Sequence, residues 1–218
     1  MITSQKLNKN NDVIAILKSV GAVLTNGHFV YTSGKHGSIY INKDGLYPNV
    51  EETSQVCKLM AEKCAHLEID TVAAPALGGI ILSQWVGYHL SQLKNKPVHA
   101  VYAEKDGQGG FMFTRGYDKF IKNKKVLVLE DLTTTGGSVK NVVDVVRDYG
   151  GKVAGVCVMV NRNPENVTQE MFDAPFFCLG ELKAEAYDED KMPEELRKKP
   201  INVKVGHGKK YLEGLKKQ

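Results

Sequence analysis

What the 218-residue sequence lacks narrows the choices before any motif does. Its four cysteines, Cys57, Cys64, Cys157 and Cys178, form no CxxC pair and share no metal-ligand spacing with histidine. A disulfide framework and a zinc site are therefore not expected; four buried thiols in a reducing, cytoplasmic setting are. Residues 1–11 are polar and hold no apolar core of a signal peptide, so no secretory leader is expected. Charge of one sign is also scarce. The 29 Lys and Arg exceed the 25 Asp and Glu by only four, too little to argue for nucleic acid. The stretch 71–93 has no charged residue and the length of a membrane helix. Pro75, Gly78, Gly79, Ser83, Gln84 and His89 interrupt it, and a buried strand, a glycine turn and a helix explain it better. No repeat or low-complexity tract is present.

What is there is an ordinary globular composition, 42% hydrophobic and 25% charged. One domain over 1–218 is expected, with a core large enough to need no disulfide or structural metal. Val13, Ile16, Leu17 and Val20 share one side of a helix over 12–20, which Gly21 stops. Ala22 to Leu24 and Phe29 to Tyr31 flank Asn26-Gly27, a hairpin signal, and 39–41 is a third short strand. From Pro48 the pattern changes. Asn49 to Glu52 has the form of a capping box ahead of a helix with Val56, Leu59, Met60, Cys64 and Leu67 on one face. Strand 71–74, loop 75–79, helix 80–90, strand 98–102, a long polar loop, strand 126–129, helix 138–149 and strand 153–160 follow, then strand 176–179. Alternating strands and helices predict an α/β fold with a mostly parallel twisted sheet flanked by helices.

The segment that carries chemistry runs from Val126 to Val139, reading Val-Leu-Val-Leu-Glu-Asp-Leu-Thr-Thr-Thr-Gly-Gly-Ser-Val. A buried strand delivers Glu130 and Asp131 to its C-terminal end, where open α/β sheets bind ligands. The loop after it enters a helix, so backbone N–H groups, hydroxyls and the helix terminus form an anion cradle. No Lys-Ser/Thr follows the glycines, so this is not a Walker A loop, and it is not GxGxxG. Carboxylates for a diol beside a cradle for a phosphate suit a sugar phosphate. The plainer alternative is that the two acids cap a turn, yet a strand end rarely carries two half-buried acids without partners.

This segment resembles the phosphoribosyl-diphosphate (PRPP) motif of type I phosphoribosyltransferases. Other segments narrow the resemblance to the orotate phosphoribosyltransferase family. Phe29 to Asn42, with Ser33-Gly34 and Ser38-Ile39-Tyr40, looks like its hood segment. Ala74-Pro75-Ala76-Leu77-Gly78-Gly79 is similar to its diphosphate loop, and Ala103 to Gly107 with Thr114 to Tyr117 to its mobile loop. Val160-Asn161-Arg162 matches a further position. Thr32 and Gly78 stand where many members have Lys, and the loop carries Glu104-Lys105 and no His.

The resemblance implies a type I phosphoribosyltransferase fold with a small hood lobe, built from about 20–45 and part of the C-terminal tail. It implies Mg²⁺-dependent transfer of phosphoribosyl from PRPP to orotate, giving orotidine 5′-monophosphate and diphosphate. Glu130 and Asp131 would bind the ribose hydroxyls. Thr134, Thr135, Gly136, Gly137 and Ser138 would hold the 5-phosphate, with Thr134 also near orotate; Leu132 and Thr133 are substrate-binding neighbours, and Arg162 would pair with the orotate carboxylate. Ala76, Leu77, Gly78 and Tyr40 are further substrate contacts. Lys105, Arg115 and Asp131 are the candidate catalytic residues, and the loop 104–116 is expected to close over the neighbouring subunit of a homodimer. Mg²⁺ would be held mainly through PRPP oxygens, with no protein metal site. Another base, such as a purine, stays open. A PRPP-sensing regulator would need an added DNA-binding helix pair or a dense basic patch. His36, in the hood segment, is read as a solvent-facing loop residue.

Overall fold

The computed structural model describes residues 9–31 and 33–215; the polar stretch 1–8, Thr32 and 216–218 lie outside the described residues. The chain opens with α1 (Lys9–Ser19) and four two-residue strands, β1 (Val23–Leu24), β2 (Phe29–Val30), β3 (His36–Gly37) and β4 (Tyr40–Ile41). Next come α2 (Val50–Cys64), β5 (Thr71–Pro75), α3 (Gly78–Lys94), β6 (His99–Lys105) and β7 (Phe111–Met112). They are followed by β8 (Lys125–Thr133), α4 (Gly137–Asp148), β9 (Lys152–Asn161), α5 (Gln169–Phe172) and β10 (Phe176–Glu181). A tail with α6 (Glu194–Arg197) and α7 (Gly208–Leu215) closes the chain. The six longer-range strands form one sheet in the order β10–β9–β8–β5–β6–β7. All neighbours are parallel except the β6–β7 pair at the edge.

Alternation along β8 explains the layers. Leu127 and Leu129 face a core shared with Leu17 of α1, Met60 of α2 and Val86 of α3. Val126 and Val128 face a second core built with Val139, Val142, Val143 and Val146 of α4. Side chains on a strand point alternately to its two faces, so a strand apolar at every position needs helices on both sides. The four valines of α4 fall at the spacing of one helical stripe. The uncharged stretch 71–93 divides into β5, a turn and α3, and no helix among the described residues is long and apolar enough to cross a membrane.

Several boundaries and pairings differ from the sequence expectation. β8 runs to Thr133 and not 129, because backbone pairing to β9 continues through Thr133↔Asn161. The acid pair therefore sits inside the strand's last turn of pleat. The polar loop after β6 begins as a hairpin: Glu104↔Met112 and Lys105↔Phe111 pair antiparallel. Asp106 Oδ1 accepts from the N–H groups of Gln108 (2.7 Å) and Gly110 (2.9 Å), which closes its tip. Phe113, 5% exposed, anchors its far end in the second core. The expected β1–β2 hairpin does not form. Asn26 does turn the chain, at φ 60°, but β1 pairs with β4 and β2 with β3. The Phe29 ring fills the space over Gly27 and stacks on Tyr40 at 5.5 Å, so β2 is drawn to the opposite side. Asn49 precedes α2 but makes no capping bond; its Nδ2 donates back to Gly45 O at 2.8 Å.

The small N-terminal strands are held by the tail. His36 N–H donates to Tyr187 O and Tyr187 N–H to His36 O, both 2.8 Å. Asn202 N–H donates to His28 O at 2.7 Å and His207 N–H to Val30 O at 2.9 Å.

Candidate active site

The site forms where β8 ends. Glu130 and Asp131 are 7% and 3% exposed. Strand alternation sends them to opposite faces. Glu130 lies on the face of Val126 and Val128, where Ser138 at the start of α4 donates to its carboxylate. Burial and the adjacent Asp131 charge push Glu130 up to about 8, against the hydrogen bonds from Ser138 and the Asp131 N–H. Asp131 lies on the other face. Its Oδ2 accepts from Lys43 Nζ at 2.7 Å and Tyr47 OH at 2.9 Å, and its Oδ1 from Leu132 N–H at 2.7 Å.

Gly78 belongs to the same knot. A Cβ there would collide with Asp131 Oδ2 and come within 2.8 Å of Tyr47 OH and 3.0 Å of Lys43 Nζ. A side chain there would displace the ends of Asp131, Tyr47 and Lys43 from one another. Burial alone pulls Lys43 down, but the Asp131 charge and hydrogen bond outweigh it, and the ammonium sits above its ordinary value. Burial first, then the same carboxylate, raises the Tyr47 phenol, which stays a donor.

The cradle follows. Thr133 is buried and its Oγ1 accepts from Gly136 N–H at 3.1 Å. Gly136 takes φ 77°, a left-handed value that turns the chain into α4. The first turn of a helix presents N–H groups that have no partner within the helix, here at Gly137 and Ser138. Thr134 and Thr135 are exposed beside it.

Two clefts flank the acid pair. One, of about 620 Å³, is lined by Lys43, Asp44, Ala76, Leu77, Gly78, Glu104 and Lys105. The other, of about 610 Å³, is lined by Tyr31, Ser33, Lys35, Thr134, Thr135 and Arg162 among others. The Arg162 guanidinium lies over the Tyr31 ring, 4.9 Å from its centroid, a cation–π contact. Its Nε is buried and has no hydrogen-bond partner. The acids near it in sequence are engaged elsewhere: Glu165 with Lys183 at 2.6 Å, Glu170 with Thr168 at 2.5 Å. Arg162 is thus aimed into the second cleft.

Most of the residues singled out in the sequence meet here: Glu130 to Ser138, Ala76 to Gly78, Lys105 and Arg162. Tyr40 stacks its ring on Phe29 within the small lobe, and Arg115, on the 104–116 hairpin, is held by Glu104 at 3.2 Å with backbone φ 58°. His36 is 1% exposed and buried against the tail, where His28 and Tyr211 pack on it, so it is no solvent-facing residue. Lys43 and Tyr47, the partners of Asp131, went unnoticed. Their spacing of four places both on one side of a turn, yet nothing in it points to a residue 88 or 84 positions later.

Known proteins share this sequence pattern and fold. The phosphoribosyl transferase domain family matches residues 44–179. An orotate phosphoribosyltransferase of Caulobacter vibrioides is 33% identical over 88% of this chain and 94% of its own length. One from Caldanaerobacter subterraneus is 36% identical over 78% of this chain and 84% of its own. The orotate phosphoribosyltransferase of Mycobacterium tuberculosis, solved in complex with PRPP, superposes with a TM-score of 0.61 at 19% identity. That superposition covers 80% of this chain and 96% of the other.

Proposed function

The chain belongs to the orotate phosphoribosyltransferases of the phosphoribosyltransferase family, and from that premise we propose that it transfers phosphoribosyl from PRPP to orotate. The products are orotidine 5′-monophosphate and diphosphate. The observation that carries the site reading is the acid pair between two clefts of different character. The first cleft, with Lys43 and Lys105, suits the diphosphate. The second, with Thr134, Thr135 and Arg162, suits the 5-phosphate and the base. The ribose spans Glu130 and Asp131, its 2- and 3-hydroxyls donating to them.

Breaking the bond from ribose C1 to diphosphate builds positive charge on the sugar and negative charge on the leaving group. Glu130 and Asp131 fix the ring, and the cations of the first cleft receive the departing charge. A nitrogen of the orotate ring attacks C1 as the bond to diphosphate breaks, and the proton of that nitrogen passes to the departing diphosphate or to water, so no protein base is required. Arg162 pairs its planar fork with the orotate carboxylate. Mg²⁺ favours oxygen ligands and keeps few protein ones. The donor set fits that habit, with the carboxylates of Glu130 and Asp131 at the strand end. Bound mainly to diphosphate oxygens, the ion would neutralise the leaving group.

The 104–116 hairpin excludes water in this proposal, because hydrolysis of PRPP is the competing reaction. A homodimer in which it covers the neighbouring site is part of the same reading. Exposed Leu77, Ile81 and Tyr88 on one side of α3 support a covered face, and sedimentation of a monomer would remove that part.

Diphosphate release from PRPP and a panel of bases tests the function. Orotate should be the preferred acceptor over uracil, and Arg162→Ala should lose that preference while binding PRPP nearly as before. Activity with a purine and none with orotate overturns the base assignment and leaves the phosphoribosyl transfer.

A further inference from the structure

Lys43 is the residue whose placement asks for more than a structural role. It sits on a short turn (Lys43–Gly45) of the small lobe, yet its ammonium reaches the floor of the sheet site. Its side chain is 34% exposed, against 4% for its partner Asp131. One end of the contact is therefore sealed and the other open to the first cleft, which Lys43 lines together with Lys105 and the acids Asp44 and Glu104. Tyr47 already donates to the same Asp131 oxygen at 2.9 Å. A carboxylate anchored by Tyr47 and by the Leu132 N–H does not need a lysine to hold it. An ammonium has three donors, and only one is spent on Asp131. The other two are available to the cleft.

Resting on the reading of that cleft as the diphosphate pocket, we propose that Lys43 is a substrate-binding residue that bridges Asp131 and the diphosphate. It supplies from the small lobe the cation that the turn after β5 leaves out. That turn, Ala76-Leu77-Gly78, contributes no charged side chain, and the ends of Asp131, Lys43 and Tyr47 occupy the space over Gly78. The arrangement ties the small lobe to the leaving group. When the diphosphate departs, Lys43 keeps Asp131 as its counter-charge, so the cation is neutralised in both states of the cleft.

Inorganic diphosphate is the probe, titrated calorimetrically into the full-length protein. Lys43→Met should weaken its binding at least about tenfold, the factor equivalent to 1.4 kcal/mol, and Lys43→Arg should restore most of it. Tyr47→Phe, which removes the other donor to Asp131 but keeps the cation, should bind diphosphate within about twofold of wild type. A folded Lys43→Met protein with unchanged affinity overturns the proposal, as does a Tyr47→Phe protein as impaired as Lys43→Met. A second measurement uses the wild type alone. Saturating diphosphate should suppress acylation of Lys43 by an amine-reactive ester, read by mass spectrometry, and ribose 5-phosphate should not. Undiminished labelling under saturating diphosphate also overturns it, whether or not the variants fold. Failure of the wild type to bind diphosphate at all counts instead against the cleft assignment.

Discussion

The end of β8 and the small lobe face each other across the same two clefts, but they are built on different principles. From Val126 to Val139, strand, acids, loop and helix follow one another, and every group that makes the cradle lies within fourteen consecutive positions. In the small lobe almost nothing holds locally. Strands of two residues cannot persist alone, and β2 and β3 are kept in place by bonds to Tyr187, Asn202 and His207. Its interior is a chain of buried histidines: His28 Nδ1 lies 3.1 Å from Lys199 O, and His28 Nε2 lies 2.8 Å from His36 Nδ1. The cradle is a contiguous unit that packing supports; the lobe exists only because distant segments close on it.

The largest effect should come from the cradle. Glu130→Gln with Asp131→Asn removes a charge-assisted bond from Asp131 to the ribose, worth about 1.5–3 kcal/mol, and a bond to Glu130, largely protonated near neutral pH, worth about 0.5–1.5 kcal/mol. PRPP affinity should fall by roughly one to three orders of magnitude, while circular dichroism shows a folded protein. Unchanged calorimetric affinity would break the assignment of the sugar site.

Two glycines compare the regions next. Gly79 lies against β5, where an added Cβ would stand 2.6 Å from Ala74 Cβ and 3.1 Å from its carbonyl carbon. Neither neighbour can rotate away, so Gly79→Ala should cost about 1–3 kcal/mol of global stability. Gly37 faces the Tyr31 hydroxyl and, at 2.7 Å, the backbone oxygen of Glu185 in the tail. Gly37→Ala should displace Tyr31 from under Arg162 and raise KM for orotate severalfold, with a smaller change in Tm. Hydrogen exchange should locate its loosening in 28–40 and 185–202. Equal loosening of β8 would mean that the two regions fold as one unit.

The smallest effects, opposite in sign, lie in pH. Glu130 is raised from 4.5 to about 8 by burial. Between those values the folded chain keeps a proton that the unfolded chain has lost, so its contribution to stability declines as pH rises. His36 is lowered from 6.5 by burial and by His28, against the attraction of Glu189. Below 6.5 the unfolded chain takes up the proton first, so stability of the lobe declines as pH falls and is fully present above that value. Thermal melts across about pH 5 to 9 should show the alkaline decline flattened by Glu130→Gln and the acid decline flattened by His36→Gln. If neither slope changes, neither burial matters to folding.

The sheet was legible because its signals are short-range. Periodic valines in 139–146, apolar strands and Gly150 as a stop each act within a few residues, and α4 and β9 lie within one or two positions of expectation. The misreadings share a cause. Asn26-Gly27 does turn, but the choice between β1–β2 and β1–β4 depends on where the Phe29 ring packs. His36 reads as a polar loop residue until a tail 151 positions later covers it.

By itself the sequence determined the layered α/β arrangement and the cradle. Alternation along one strand is enough to set Glu130 and Asp131 on opposite faces of the sheet. Only the tertiary structure decided what each acid meets there. The approach of Lys43 and Tyr47 to Asp131, the crowding of those three side chains against Gly78, and the turning of Arg162 over Tyr31 join segments more than thirty positions apart. Side-chain periodicity reports the face of an element and carries no information about which distant element will cover it, because that partner is selected by packing of the whole core.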